Sequence, residues 1–387
     1  MRQTQLNHAV FKLLFCFIIV SCTLCLPQKA HADGGFVEQS VAMVSSRAEF
    51  IRNHEHQWEH SKCTICGLRC WHSEHNIDGY CLVCGHKTYH KYNYGLCRCG
   101  KVLQFREELL PDYYYFDECE EQGTLHPARL EGQLSDVSPT IAGKKFEVYL
   151  PYGYDETRPY DVMFLQGGLG SHHNAMTSQT WFHVVGDRPF CFKNIWDHMI
   201  YEGICEPMII VSVDGYSAKH GAERYRDLYE ETSYFVQNYI YQYVIEHYST
   251  YAKSTDPDDI VAARDHFGYG GFSNGGWMTY WGAMNGMVWY CSNFLPMGGS
   301  WRADEVAATL YQYKDVYPVS CFFAGAGIND GYSLDQMLDD YITIVNSSES
   351  LYGGDNTWFI TVDYAHDYNA ASILLYDGLQ VMFPLSE

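Results

Sequence analysis

Between an apolar run that ends at Phe272 and a helical pattern that begins at Asn274, the chain reads Gly271-Phe272-Ser273-Asn274-Gly275-Gly276. A G-x-S-x-G sequence set between a strand and a helix makes a sharp, strained turn. The flanking positions leave no room for side chains, and the serine hydroxyl stands exposed at the top of a sheet. The five-residue pattern alone arises in any glycine-rich turn; the strand before it, the helix after it and the third glycine give it weight. The surroundings agree. From about residue 126 onward, apolar β-type runs alternate with helical patterns, as in a mostly parallel sheet with helices on both faces. The runs are Lys145–Leu150, Tyr160–Gln166, Pro207–Val213, His266–Phe272, Cys291–Pro296, Val319–Ala324 and Thr357–Val362. Helical patterns lie near Asn194–Tyr201, Glu230–His247, Asn274–Asn285, Ser333–Val345 and Ala371–Gln380. The expected class is therefore α/β.

A serine hydroxyl is a poor nucleophile at neutral pH and needs an adjacent base. After an elbow of this kind the partners follow in the order acid, then histidine. A single histidine follows Ser273, His366, in the stretch Tyr364-Ala365-His366-Asp367-Tyr368 just past the run ending at Val362. The acid must orient the imidazole and stabilise its cation. Asp330, in Gly325-Ala326-Gly327-Ile328-Asn329-Asp330, follows a strand and a glycine-rich turn and is the expected one; Asp304, Asp363 and Asp367 compete. Backbone N–H groups must receive the oxyanion. Asn274 should supply one. The loop Gln166-Gly167-Gly168-Leu169-Gly170 should supply the other, through Gly168 or, as the other candidate, Leu169. Trp181, Trp277 and Trp301 are candidates for stacking on a sugar or a phenolic acyl group, although each also reads as packing.

Residues from about 123 to 383 resemble the esterase-D-like esterases, which include family-one carbohydrate esterases such as feruloyl and acetylxylan esterases. The matching stretches are G-K-K-F-E-V-Y-L-P-Y-G-Y-D at 143–155, G-G-L-G at 167–170, P-M-I-I-V at 207–211, the elbow, A-G-I-N-D at 326–330, A-H-D-Y at 365–368 and D-G-L at 377–379. The resemblance implies an α/β-hydrolase fold, a Ser273–Asp330–His366 triad and an acyl-enzyme route without a catalytic cofactor. Two departures stand out. Gln166 occupies a position where relatives commonly carry histidine, which points to an altered acyl pocket. Tyr364-Ala365 replace a common Gly-Gly before the histidine.

Residues 53–100 are a different kind of sequence, crowded with Cys, His and aromatics and almost without aliphatic core. Cys63-x2-Cys66-Gly67 recurs as Cys81-x2-Cys84-Gly85, with a degenerate third copy at Cys97-Arg98-Cys99-Gly100; His54 and His72 each stand nine residues before their copy's first cysteine. Paired C-x2-C units are zinc-ribbon spacing, each turn directing two thiolates at one tetrahedral ion. The expected ligands of a structural zinc are Cys63, Cys66, Cys81 and Cys84. Cys70, His72, His75, His86, His90, Cys97 and Cys99 could form a second site. A disulfide framework is the rival, since both devices serve exported units with little core.

The remaining features bound partners and location. The formal charge is −22, and residues 1–32 hold three cations (Arg2, Lys12, Lys29) and no acid, so the rest of the chain is near −25. Such a chain has no basic face for nucleic acid. Residues 1–32 read as a signal peptide, with an apolar run Leu13–Leu26 and a small-x-small site at Ala30-His31-Ala32. The run is short for a membrane span. Ile19-Val20-Ser21-Cys22 also fits a lipobox, which would anchor Cys22 by lipid instead. Residues 33–52 read as a spacer, 101–125 as an acidic linker and 126–387 as the hydrolase domain. The expected protein is a secreted serine esterase acting on feruloylated or acetylated plant polysaccharide or on small esters. The alternatives are a siderophore or cell-envelope ester hydrolase or acyltransferase of the same fold, and a non-catalytic carbohydrate-binding protein.

Overall fold

The computed structural model describes residues 110–129, 145–213 apart from 170 and 186, 225–347 and 356–382, with shorter stretches between 55 and 97. The chain divides into two compact units, Met1–Cys70 and Trp71–Glu387. The division falls inside the cysteine-rich stretch rather than at its end. In the first unit a short hairpin pairs Trp58–Glu59 with Lys62–Cys63. The signal-peptide, lipobox and spacer readings lie outside the described residues.

The second unit is built on one eight-stranded sheet. Its strands are β1 (Thr124–Arg129), β2 (Lys145–Leu150), β3 (Val162–Gln166), β4 (Ile209–Val213), β5 (Phe267–Phe272), β6 (Asn293–Met297), β7 (Cys321–Gly327) and β8 (Thr357–Val362). They lie in the order β8-β7-β6-β5-β3-β4-β2-β1. The pairs from β4 to β8 are parallel, and β2 and β1 add an antiparallel edge. This is the α/β-hydrolase arrangement.

A parallel sheet covered on both faces needs strands that are apolar throughout, and the burial shows why these runs satisfy it. On β3, Val162 and Phe164 enter one core while Met163 and Leu165 enter the other. The same alternation sorts Ile209 and Val211 from Ile210 on β4, and Phe322 and Ala324 from Phe323 on β7. The first core is closed by Tyr229 and Phe235 of a helix beginning at Tyr225 and by Val306 and Leu310 of another, Ala303–Tyr313. The second is closed by Ile195, Trp196 and Met199 of α2 (Phe192–Tyr201) and by Ile373, Leu374 and Leu375 of a C-terminal helix, Tyr368–Leu379. Each such side chain contributes roughly 1.5–3 kcal/mol when fully buried.

Two features depart from the sequence reading. The stretch 101–125 is not linker throughout: α1 (Asp112–Phe116) buries Tyr114 and Tyr115 in the second core, and Tyr115 Oη lies 2.8 Å from Ser372 Oγ. Strand β1 begins within the same stretch. Among the described residues no helix is long and apolar enough to cross a membrane.

Candidate active site

The loops that carry Gly168, Ser273, Asp330 and His366 each leave the C-terminal end of a parallel strand. β3 lies between β4 and β5, so the strand order reverses there, and such a switch point opens a crevice above the sheet. Ser273 follows β5 and starts the helix Asn274–Met278. Its backbone takes φ 58° and ψ −110°, the left-handed side of the map that a non-glycine residue enters only under constraint. The constraint is visible in the glycines. A Cβ on Gly271 would lie 2.5 Å from the Gln166 carbonyl oxygen, and one on Gly275 would collide with the same oxygen. The elbow can turn because nothing projects from it toward β3.

His366 stands on the loop after β8. Its Nε2 is 2.8 Å from Ser273 Oγ and its Nδ1 is 2.7 Å from Asp330 Oδ2. Asp330, 2% exposed, sits past the end of β7. Its Oδ1 accepts from the Tyr332 and Ser333 N–H groups, each at 3.0 Å, and its Oδ2 also accepts from Ser333 Oγ at 2.5 Å. Burial raises the cost of ionising this carboxyl. The hydrogen bonds from Ser333 and His366 outweigh it and hold Asp330 below the ordinary carboxylate range. The competing acids have other work. Asp363 accepts from Asn329 Nδ2, Asp367 caps the C-terminal helix through the Asn369 and Ala370 N–H groups, and Asp304 lies in the first turn of the helix Ala303–Tyr313.

The two expected oxyanion donors fare differently. Asn274 is buried at the start of its helix, beside Ser273. Gly168 does approach the elbow, where a Cβ on it would meet Ser273 Cβ at 3.3 Å. Its N–H, however, donates to Tyr368 Oη at 2.9 Å. The Leu169 N–H takes no partner among the described residues, and Leu169 lines the cleft with Ser273 and Asn274. Of the two candidates on this loop, Leu169 is therefore the one whose N–H is not engaged by another described residue.

The cleft has a volume of about 300 Å³ and is lined by Leu169, Ser273, Asn274, Trp277, Tyr332 and His366. Of the three tryptophans, Trp277 faces it. Trp301 does not; it stacks behind Trp277 at a ring distance of 6.3 Å. Trp181 lies on the strand Gln179–Val185, and its side chain is outside the described residues. Tyr332, 70% exposed and edge-on to the His366 ring at 5.2 Å, was not foreseen from the sequence. Only its place two residues after Asp330 could have signalled it. Gln166 is not among the residues that line the cleft. It is 2% exposed and accepts from Tyr269 Oη at 3.0 Å inside the sheet.

In the first unit, the ligand atoms of His56, Cys63 and Cys66 lie within 4.8 Å of one another. The C-x2-C pair thus finds a histidine close by in sequence, His56. Cys81 and Cys84, in the second unit, share a turn in which Gly85 N–H donates to the Cys81 carbonyl at 2.9 Å. His54, His72, His75, His86, His90 and Cys99 lie outside the described residues.

Residues 142–279 match the family model described as "Putative esterase". The chain is 36% identical over 181 residues to endo-1,4-beta-xylanase Y of Acetivibrio thermocellus; the match takes in 46% of this chain and 15% of that protein's length. Among solved structures, a serine-to-alanine mutant of the feruloyl esterase module from Clostridium thermocellum, complexed with sinapinate, superposes with a TM-score of 0.59 and 26% identity. That superposition covers 73% of this chain and 95% of that one. The ferulic acid esterase of the anaerobic fungus Anaeromyces mucronatus shares the fold, with a TM-score of 0.54, 21% identity, and 73% and 98% of the two chains covered.

Proposed function

We propose that the protein is an exported serine carboxylic-ester hydrolase that removes feruloyl or related aromatic acyl groups from plant polysaccharide. The observation that carries this reading is the unbroken chain Asp330–His366–Ser273, with contacts of 2.7 and 2.8 Å, at the floor of a cleft walled by Leu169, Trp277 and Tyr332. Ser273 Oγ attacks the ester carbonyl while His366 Nε2 takes its proton. The oxyanion is received by the Asn274 and Leu169 N–H groups. His366 then protonates the departing alcohol, and by the reverse sequence it activates the water that frees Ser273. Asp330 keeps the imidazole oriented and stabilises its cation in both halves. No step calls for a cofactor.

The acyl preference follows from the walls. Trp277 and Tyr332 both line the cleft, and aromatic contacts with a flat acyl ring would add about 0.5–1.5 kcal/mol beyond area burial, a gain that an acetyl group lacks. The likeness to a feruloyl esterase module and to a xylanase supports the same substrate class. With methyl ferulate, methyl acetate and feruloylated and acetylated xylans as substrates, kcat/KM on ferulate should exceed that on acetate by about tenfold, the factor that 1.4 kcal/mol represents. Equal or inverted values would sink the aromatic assignment and leave a general esterase.

The thiolates of Cys63 and Cys66 with the His56 imidazole form a donor set suited to zinc. We propose a structural zinc held through these three residues of the first unit. The purified protein should carry at least one zinc per chain, and His56→Ala with Cys63→Ser should lower that content. Esterase activity on a soluble substrate should survive chelation, because no residue of the cleft is a metal ligand. Native protein without zinc would favour disulfides, and loss of hydrolysis on chelation would contradict the separation of the two roles.

A further inference from the structure

An oxyanion donor must point at one place, yet the loop after β3 has little of its own to hold it. Gly167 and Gly168 have no side chains, and Leu169 is 54% exposed. The restraint comes from two other residues. Ser171 donates to the Gly168 carbonyl twice, through its N–H at 3.1 Å and its Oγ at 2.5 Å. That carbonyl belongs to the same planar peptide as the Leu169 N–H, and in a trans peptide the two point in opposite directions. Gripping the carbonyl from one side therefore aims the N–H to the other. The preceding peptide is fixed in its turn by the Gly168 N–H bond to Tyr368 Oη, 2.9 Å long.

Tyr368 is itself well anchored. It begins the C-terminal helix directly after the capping residue Asp367 and is 8% exposed. Its ring packs on Phe272 at 5.0 Å, and Phe272 packs on His366 at 4.8 Å. One residue thus touches the donor loop, the residue before the nucleophile and the segment that carries the base. We infer that Tyr368 is a positioning residue for transition-state stabilisation: its phenol oxygen, with Ser171, locks two successive peptides so that the Leu169 N–H faces the oxyanion. This rests on the esterase reading above.

The inference predicts a loss confined to the chemical step. Tyr368→Phe keeps the ring and removes only the oxygen. Removing an oxyanion donor outright costs about 10²–10³ in kcat; loosening one should lower kcat on methyl ferulate by about 10- to 100-fold while KM stays within about twofold. A boronic acid that forms a tetrahedral adduct on Ser273 should bind more weakly by a similar factor, whereas free ferulate, a planar product, should bind as before. Ser171→Ala, which removes one of the two hydrogen bonds to the carbonyl and leaves the backbone one, should show the same pattern more mildly. Unchanged kcat in Tyr368→Phe, or a loss carried by KM alone, overturns the inference, as does a fall in Tm with normal kcat in the folded fraction. If Tyr368→Phe does not fold, Ser171→Ala decides by the same criteria. Wild type and Ser273→Ala measured alongside separate the two readings: a wild type that hydrolyses no ester refutes the esterase, while an active wild type with an indifferent Tyr368→Phe refutes only the positioning role.

Discussion

Ser273→Ala is expected to lower kcat on an ester substrate by about 10⁵-fold or more, with the fold intact. Loss of a serine nucleophile in a triad typically costs on the order of 10⁶ in kcat, and the oxyanion donors and binding surface alone leave a residual about 10³–10⁴ above water. Little packing is at stake. The hydroxyl faces the cleft and its contact is His366 Nε2, so alanine keeps the Cβ that approaches Gly168 and loses only the oxygen. The strained φ of 58° is as tolerable for alanine as for serine. The variant should therefore melt within a few degrees of wild type and still bind ferulate. More than about a tenth of wild-type turnover would mean that another residue is the nucleophile.

The sheet was legible in the sequence because strands packed between two layers of helices read as apolar runs, and the seven runs, six of them parallel strands, matched strands of the structure to within a few residues. What escaped was of another kind. β1, with the sequence Thr-Leu-His-Pro-Ala-Arg, is a half-exposed edge strand that contains a proline, so neither alternation nor apolarity marks it. α1 was hidden by its neighbours: Asp117, Glu118, Glu120 and Glu121 make the stretch read as a solvated connector, while Tyr114 and Tyr115 anchor it to the core. Ser273, His366 and Asp330, which the structure brings within 2.7 and 2.8 Å contacts, were legible as a set because chain order after the elbow singles each of them out. Ser333, Tyr332 and Tyr368 were not. Their roles arise where loops from different strands converge, and the hydrogen bond between Tyr368 and Gly168 spans 200 positions, which no local pattern encodes. The same convergence bears on the choice between Gly168 and Leu169, since the sequence does not say that the Gly168 N–H donates to Tyr368.

His366→Ala should disable the enzyme about as fully as the nucleophile variant, because the triad acts as a unit and its single losses do not add. Asp330→Asn should cost about 10⁴ in kcat. The reason is the tautomer. The carboxylate at Nδ1 holds a proton there and leaves the Nε2 lone pair facing Ser273 Oγ at 2.8 Å. An asparagine can turn its amide N–H toward Nδ1, which places the proton on Nε2 and removes the base from the serine. KM should change little, since Asp330 is buried and does not line the cleft. Stability supplies an independent check with a definite sign. The folded Asp330 carboxyl lies below its unfolded value of about 3.9, so its contribution is complete above that pH and is lost as pH falls through the lower folded value. Asp330→Asn should remove this part of the acid dependence and leave the neutral limb unchanged in shape. Near-wild-type kcat in Asp330→Asn, or an unaltered acid limb, would show that His366 is oriented by some other group and that the 2.7 Å contact is incidental to catalysis.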